Sequence, residues 1–248
     1  MRPDRAGAAA IGTAVLEGAC CANREDDARV VAEAIADRAP AGPLLDIGCG
    51  SGAISLTVLA SRPDIDAVGI DVSGSLCRAA EREAHALGVS GRFRALTGSA
   101  FDVDLPRLRT VAANPPMLPT EPGFAFSRRD GRVDLFWMRL IAAISGWDRP
   151  VTLWLHLFEF QGVGKSYGAF PSLAEVAAQH GFRVEAVHQG WRSVSPRSSI
   201  RKALPALRRT FPEGRVAVGS DVIRFADLAS DVRAQMRVPH SVLSLSCQ

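Results

Sequence analysis

The chain alternates short, continuous apolar runs with longer stretches whose apolar residues recur at helical spacing. The runs at 43–47, 66–70, 92–96, 109–113, 151–158 and 183–188 are bounded by Gly, Pro, Ser and Asp, the pattern of buried strands. Between them lie helices. Asn23 caps the first, with Glu25, Asp26 and Asp27 in the first turn and Val30, Val31, Ala34 and Ile35 on one face. The second carries Ile54, Leu56, Val58 and Leu59 and stops at Ser61-Arg62-Pro63. Others are predicted over 75–87 and 134–145. Ser172-Leu173-Ala174-Glu175 is a capping box that opens one more, with Gly181 at its far end.

This order predicts an α/β fold with a doubly wound, mostly parallel sheet and helices on both faces. After His188 the pattern weakens. Strands are expected near 216–223 and 241–245, one of them closing the sheet antiparallel. The organisation expected is a single domain over 1–248, with an N-terminal helical segment at 1–38 and an insertion or lid at 190–236.

Composition narrows the class. Hydrophobic residues make up 47% of the 248, enough for a sizeable core. A net charge of +3 is too mild to announce a nucleic-acid binder. Cys20, Cys21, Cys49, Cys77 and Cys247 form no Cys-x-x-Cys pair, and no His lies at zinc-site spacing. They read as reduced, mostly buried thiols of a cytoplasmic protein without a metal. Arg2, Arg5 and the apolar run 8–16 before Gly18-Ala19-Cys20 sketch an export leader, but Glu17 and the run's alanine content argue against one. No stretch approaches the roughly 20 apolar residues of a membrane span.

Two motifs carry chemistry. The first is Leu44-Leu45-Asp46-Ile47-Gly48-Cys49-Gly50-Ser51-Gly52, a glycine turn between strand and helix that lets a ligand approach the backbone. Gly48-x-Gly50-x-x-Ala53 also fits a dinucleotide fingerprint. Charge separates the two readings. Asp46, just before the turn, would repel a pyrophosphate and attract the sulfonium and ammonium of S-adenosylmethionine (SAM). Asp71, about 20 residues on, is placed to take ribose hydroxyls. The second motif is Asn114-Pro115-Pro116-Met117, after the fourth strand. An Asn oxygen and a backbone carbonyl accept hydrogen bonds from an N–H group, and prolines add no competing donor. If the first and fourth strands are neighbours, both motifs face one crevice.

On these residues the chain resembles the class I SAM-dependent methyltransferases. Within them it is similar to the branch with an Asn-Pro-Pro-aromatic motif, which includes release-factor glutamine-N5 and adenine-N6 enzymes. The resemblance covers roughly residues 24–160 and includes Asp130-Gly131 and Asp134. It implies a Rossmann-like fold and SAM held by Asp46, Gly48, Cys49, Gly50, Gly52, Asp71, Val72, Ser99, Ala100, Phe101 and Asn114. It implies catalysis by Asn114, Pro115, Pro116 and Met117. The chain departs from the pattern in three places. Met117 replaces the usual Tyr or Phe, Arg109 an Asp, and Ser99 an acid. Few residues precede the glycine motif. The acceptor expected is therefore a nitrogen of a small molecule: an amine, amino acid or biosynthetic intermediate. The alternatives are an RNA or protein N-methyltransferase, and a SAM-dependent enzyme of another reaction such as intramolecular alkylation.

Other features have bland and functional readings. Arg192, Arg197, Arg201, Lys202, Arg208, Arg209 and Arg215 form a basic run that is a solvated surface, an RNA-facing patch or an anion clamp. His156 and Glu159 are candidate bases, or a core histidine and a capping carboxylate. Phe124, Phe126, Phe136 and Trp137 line an acceptor site or belong to the core.

Overall fold

The computed structural model describes residues 25–102, 106–127, 133–163, 166, 170–229 and 234–247. Asn23, Cys20, Cys21, the leader-like segment and Asp130-Gly131 lie outside them. The chain divides into two compact units. The first takes in residues up to Asn114 together with Trp147–Leu155, and the second holds Pro115–Gly146 and the residues from His156 onward.

The first unit is a parallel sheet. Its elements are α1 (Glu25–Arg38), β1 (Leu44–Ile47), α2 (Ala53–Ser61), β2 (Ala67–Asp71), α3 (Gly74–Ala86), β3 (Phe93–Thr97), β4 (Thr110–Ala113) and the first part of β7 (Thr152–Phe158). The strand order is β3-β2-β1-β4-β7, every pair parallel. The order reverses at β1, with β2 on one side and β4 on the other. That reversal makes the sheet doubly wound and marks the ligand crevice of such sheets. Leu44, Leu45, Val111, Ala112 and Ala113 are fully buried, as continuous apolar strands covered on both faces must be. Two arginines fasten helix ends. Arg62 donates to the carbonyls of Ala36 and Ala39, and Arg92 to those of Leu59, Arg62 and Ile65.

The second unit is antiparallel. It contains a hairpin of β5 (Ala125–Ser127) and β6 (Val133–Leu135), then α4 (Phe136–Ser145) and α5 (Leu173–Gln179). Next come β8 (Phe182–Val194), α6 (Ser199–Thr210), a hairpin of β9 (Arg215–Val218) and β10 (Asp221–Arg224), and β11 (Met236–Cys247). The capping box opens α5 as expected. β11 pairs antiparallel with β8 along its whole length and with β9 at Met236 and Arg237. The core here is aromatic. Phe160 stacks on Phe158 at 5.3 Å between centroids and meets Phe211 and Phe225 at 5.3 and 5.4 Å. A Cβ on Gly214 would lie 2.8 Å from Phe160 and from the Phe225 ring, so a side chain there would split the cluster.

Two expectations are corrected by the pairing of β8, β9 and β10. The sixth strand runs to Val194, not 188, because β11 supplies ladder partners for its polar end. Residues 216–223 are a hairpin turning at Gly219-Ser220, not one strand. The segment from 199 is a helix with Ile200, Ala203, Leu204 and Leu207 on its buried face. Among the described residues no helix is long and apolar enough to cross a membrane. Cys49 and Cys77 are buried free thiols, whereas Cys247 is exposed.

Candidate functional site

In the first unit Ile47 pairs with Ile70 on β2 and Ala113 on β4, and Asp71 with Thr97 on β3. The glycine turn, Asp71, the loop from Gly98 and Asn114 therefore all leave the sheet at its carboxyl end. β1 and β4 are neighbours, as one crevice shared by the two motifs requires.

The turn is built on left-handed glycines, with φ of 73° at Gly48, 54° at Gly50 and 89° at Gly52, a region costly for side-chain-bearing residues. A Cβ on Gly48 or Gly50 would meet open space, whereas one on Gly52 would sit 2.9 Å from Leu56. The first two glycines thus leave room beside the backbone, and the third lets the helices close. The Gly48 and Cys49 N–H groups donate to the Ile70 carbonyl. The Gly50 N–H donates to Asp71 Oδ2 at 3.0 Å, and the Ser73 N–H to Oδ1 at 2.8 Å. Two backbone donors thereby fix the Asp71 carboxylate, whose remaining lone pairs suit a pair of ribose hydroxyls. The Gly98 N–H donates to the Asp71 carbonyl, tying in the loop of Ser99, Ala100 and Phe101. Ser99 Oγ accepts the Phe101 N–H at 3.2 Å. Val72 is 75% exposed, an apolar surface beside Asp71.

Asp46 behaves differently from the sequence expectation of a charge aimed freely at a ligand. It is 1% exposed, and Oδ2 accepts the Ser55 backbone N–H and hydroxyl at 3.2 and 2.7 Å. Ser55 lies in the first turn of α2, where the helix dipole favours a carboxylate. Oδ1 is buried without a hydrogen-bond partner among the described residues. Burial pushes the carboxyl up to about 6, against the pull of the Ser55 hydrogen bonds and with a further push from Asp71. A buried, unpartnered oxygen calls for a cation or donor. The Cys49 side chain packs inward, because a Cβ on Gly69 would lie 2.7 Å from its Sγ, and burial pushes its thiol up. Only the Cys49 backbone is left to line the turn.

In the second unit Pro115 and Met117 are buried and Pro116 is half-buried. Glu121, missed in the sequence, holds this loop: its Oε2 accepts the N–H groups of Met117 at 2.6 Å and Leu118 at 3.0 Å. A carboxylate four residues after the motif was the available signal.

The other candidates have structural places. His156 is fully buried, with Nε2 2.8 Å from Nδ1 of His240, and burial holds it well below the usual histidine range. Both oxygens of Glu159 accept from Arg215. Phe124 and Trp137 are core, and Phe126 lies beside Phe136 under the Arg139 guanidinium. Four members of the basic run, Arg192, Arg201, Arg208 and Arg215, are engaged within the second unit. Arg208 donates to the carbonyls of Leu228 and Ala229, Arg201 donates to that of Ala234, and Arg192 lies over Phe158.

A family model described as the methyltransferase small domain matches residues 14–121. The release factor glutamine methyltransferase of Rhodospirillum rubrum is 31% identical over 140 residues, 54% of this chain and 34% of its own length. That of Neisseria gonorrhoeae is 37% identical over 90 residues, 35% of this chain and 32% of its own. The match takes in the glycine turn and Asp71, where the geometry also places them. Over residues 14–121 the chain thus resembles the class I SAM-dependent methyltransferases. The chain spans about a third of the length of these curated relatives. Its fold resembles that of the YcgJ protein of Bacillus subtilis, with a TM-score of 0.55 at 13% identity over 89% of this chain and 99% of the other. It also resembles PH1948 of Pyrococcus horikoshii, a candidate RNA methyltransferase, with a TM-score of 0.53 at 11% identity over 100% and 98%. SAM, the cofactor of the class, carries the cationic groups, ribose and adenine that suit the orphaned Asp46 oxygen, Asp71 and the exposed Val72.

Proposed function

We propose that the chain is a SAM-dependent methyltransferase that acts on a carboxamide nitrogen of a protein, of the glutamine type. The observation that carries the reading is Asn114, which leaves β4 at the carboxyl end of the strand paired with β1, directly before two prolines. When bound, SAM supplies an electrophilic methyl group on its sulfonium. Asp46 offers a buried negative oxygen to the cationic part of the cofactor, and Asp71 offers lone pairs to its ribose. Gly48 and Gly50 leave room for it against the backbone. The Asn114 side-chain oxygen and backbone carbonyl accept N–H bonds from the acceptor and orient its nitrogen, so the residues act chiefly by positioning. The proline N–H groups that would compete are missing.

The relatives named as release factor glutamine methyltransferases support a protein acceptor over the small molecule expected first. RNA is less favoured, because Arg201 and Arg208 of the basic run are engaged with backbone carbonyls. The test uses methyl-labelled SAM with purified bacterial release factors, free glutamine, a panel of small amines, and tRNA. Label that appears in a release factor and maps to a glutamine supports the reading. Label found only in a small amine returns the acceptor to the first expectation, and label in tRNA alone overturns the protein reading.

A further inference from the structure

His188, Gly190 and His240 lie on one face of the antiparallel β8–β11 pair. His240 is opposite Gly190 in the ladder, and His188 is two residues from Gly190, so the side-chain alternation brings all three together. His240 is 8% exposed and its Nδ1 is 2.8 Å from His156 Nε2, which fixes the ring. Its other nitrogen, Nε2, turns toward Gly190. A Cβ placed on Gly190 would lie 3.1 Å from His188 Nε2 and 3.2 Å from His240 Nε2. The missing side chain therefore keeps a gap between two imidazole nitrogens. The ring centroids are 5.5 Å apart. The gap adjoins a cavity of about 340 Å³ bordered by His240, Ser241, Gln189, Trp191 and the Glu159–Arg215 pair, with room for several waters.

We propose that His188 and His240 form a binding site for a late first-row divalent cation, completed by cavity water. Imidazole nitrogen is a preferred ligand of Zn²⁺, Ni²⁺ and Cu²⁺. A ligating histidine commonly has its second nitrogen hydrogen-bonded, which orients the ring. His156 supplies that bond. The Arg192 charge opposes a cation, but its guanidinium is drawn over the Phe158 ring, 5.8 Å from the centroid. His188 is exposed and can swing its ring toward the fixed His240.

The full chain, freed of any affinity tag and stripped with chelator, is titrated with Zn²⁺ by calorimetry and with Co²⁺ by visible absorbance. One cation per chain is expected. His188→Ala, at an exposed position, should weaken binding at least tenfold without altering the melting temperature of the metal-free chain. Gly190→Ala keeps both ligands but fills the gap, and should also weaken binding about tenfold. His240→Ala should abolish it. Retained parental affinity in either His188→Ala or Gly190→Ala would overturn the proposal, as would absence of saturable binding in the parent. None of these readouts depends on SAM or on the methyl acceptor.

Discussion

Replacing Asp46 by Asn removes one buried charge and leaves the shape of the side chain nearly unchanged. The carboxyl is raised from 3.8 to about 6 by burial. A shift of about two units at roughly 1.4 kcal/mol each means that the ionised form costs the ligand-free chain about 3 kcal/mol at neutral pH. The sign follows from proton binding. Below pH 3.8 the folded and unfolded chains both hold the proton and the cost is absent. As pH rises through 6 the folded chain is left with a buried charge, so stability falls over that interval. An Asn oxygen can still accept the Ser55 bonds, with the loss of some charge-assisted strength. Asp46→Asn should therefore melt at or up to about 5 °C above the parent at pH 7.5 without SAM, at about 2–4 °C per kcal/mol for a chain of this size. SAM binding should move the opposite way. If only the ionised carboxylate receives the cationic cofactor, the parent should lose about tenfold in affinity between pH 7.5 and pH 5, one unit below its pKa. The Asn variant should bind SAM at least tenfold more weakly than the parent at pH 7.5, without that pH slope. Calorimetry at pH 5, 6 and 7.5, with thermal melts of ligand-free protein, reads both. A variant that melts well below the parent, or that keeps the parent's affinity and slope, would refute the reasoning.

Asp71→Ala should weaken SAM binding about tenfold to a hundredfold, because charge-assisted bonds of about 1.5–3 kcal/mol are lost. It should also lower the melting temperature, since the Gly50 and Ser73 N–H groups lose their acceptor; unchanged affinity by calorimetry would assign the ribose to another residue. Asn114→Ala should cut turnover on the acceptor by on the order of a hundredfold with little change in melting or SAM binding, and near-normal turnover would remove the main support for N-methylation. Neutralising Arg197, Lys202 and Arg209 should leave the unfolding free energy within about 0.5 kcal/mol of the parent per site, read by denaturant titration. Arg208→Gln should lower the unfolding free energy by about 1–3 kcal/mol through the abandoned carbonyls of Leu228 and Ala229. Salt-sensitive RNA binding lost in the triple variant would instead make the run an RNA surface.

The first unit was legible because parallel strands covered on both faces read as unbroken apolar runs, and glycine and aspartate mark their carboxyl ends. The second unit hid itself for physical reasons. In α6 the positions 200, 203, 204 and 207 carry a helical stripe, but Pro205 and the surrounding arginines obscure it. β5 and β6 have three residues each, too few to establish a period. Gly219-Ser220 between two apolar runs was a readable hairpin signal. The polar end of β8 becomes a strand only because β11 pairs with it, and no local pattern announces that. At the site, glycine and acid positions were readable one by one. The Asp46–Ser55 bond depends on the phase of α2, and the inward turn of Cys49 on the absence of a side chain at Gly69.

Met117 sharpens the question of acceptor selectivity. In the enzymes this chain resembles, an aromatic ring at this position stacks on a planar acceptor. Here the methionine is 6% exposed, with its N–H and that of Leu118 held by the Glu121 carboxylate. On this geometry we expect the side chain to serve the packing rather than to stack on the acceptor. On the proposed reading, selectivity then falls to the hydrogen bonds of Asn114, which would distinguish groups that present N–H from those that do not. Restoring an aromatic tests this directly. Met117→Phe forces a rigid ring into a space filled by a flexible thioether, and overpacking of this kind costs about 1–3 kcal/mol. The variant should melt several degrees lower, with turnover on the acceptor unchanged or reduced. Higher turnover with an unaltered melting temperature would mean that the position opens toward the acceptor after all, and that the chain has lost a stacking contact it could still use.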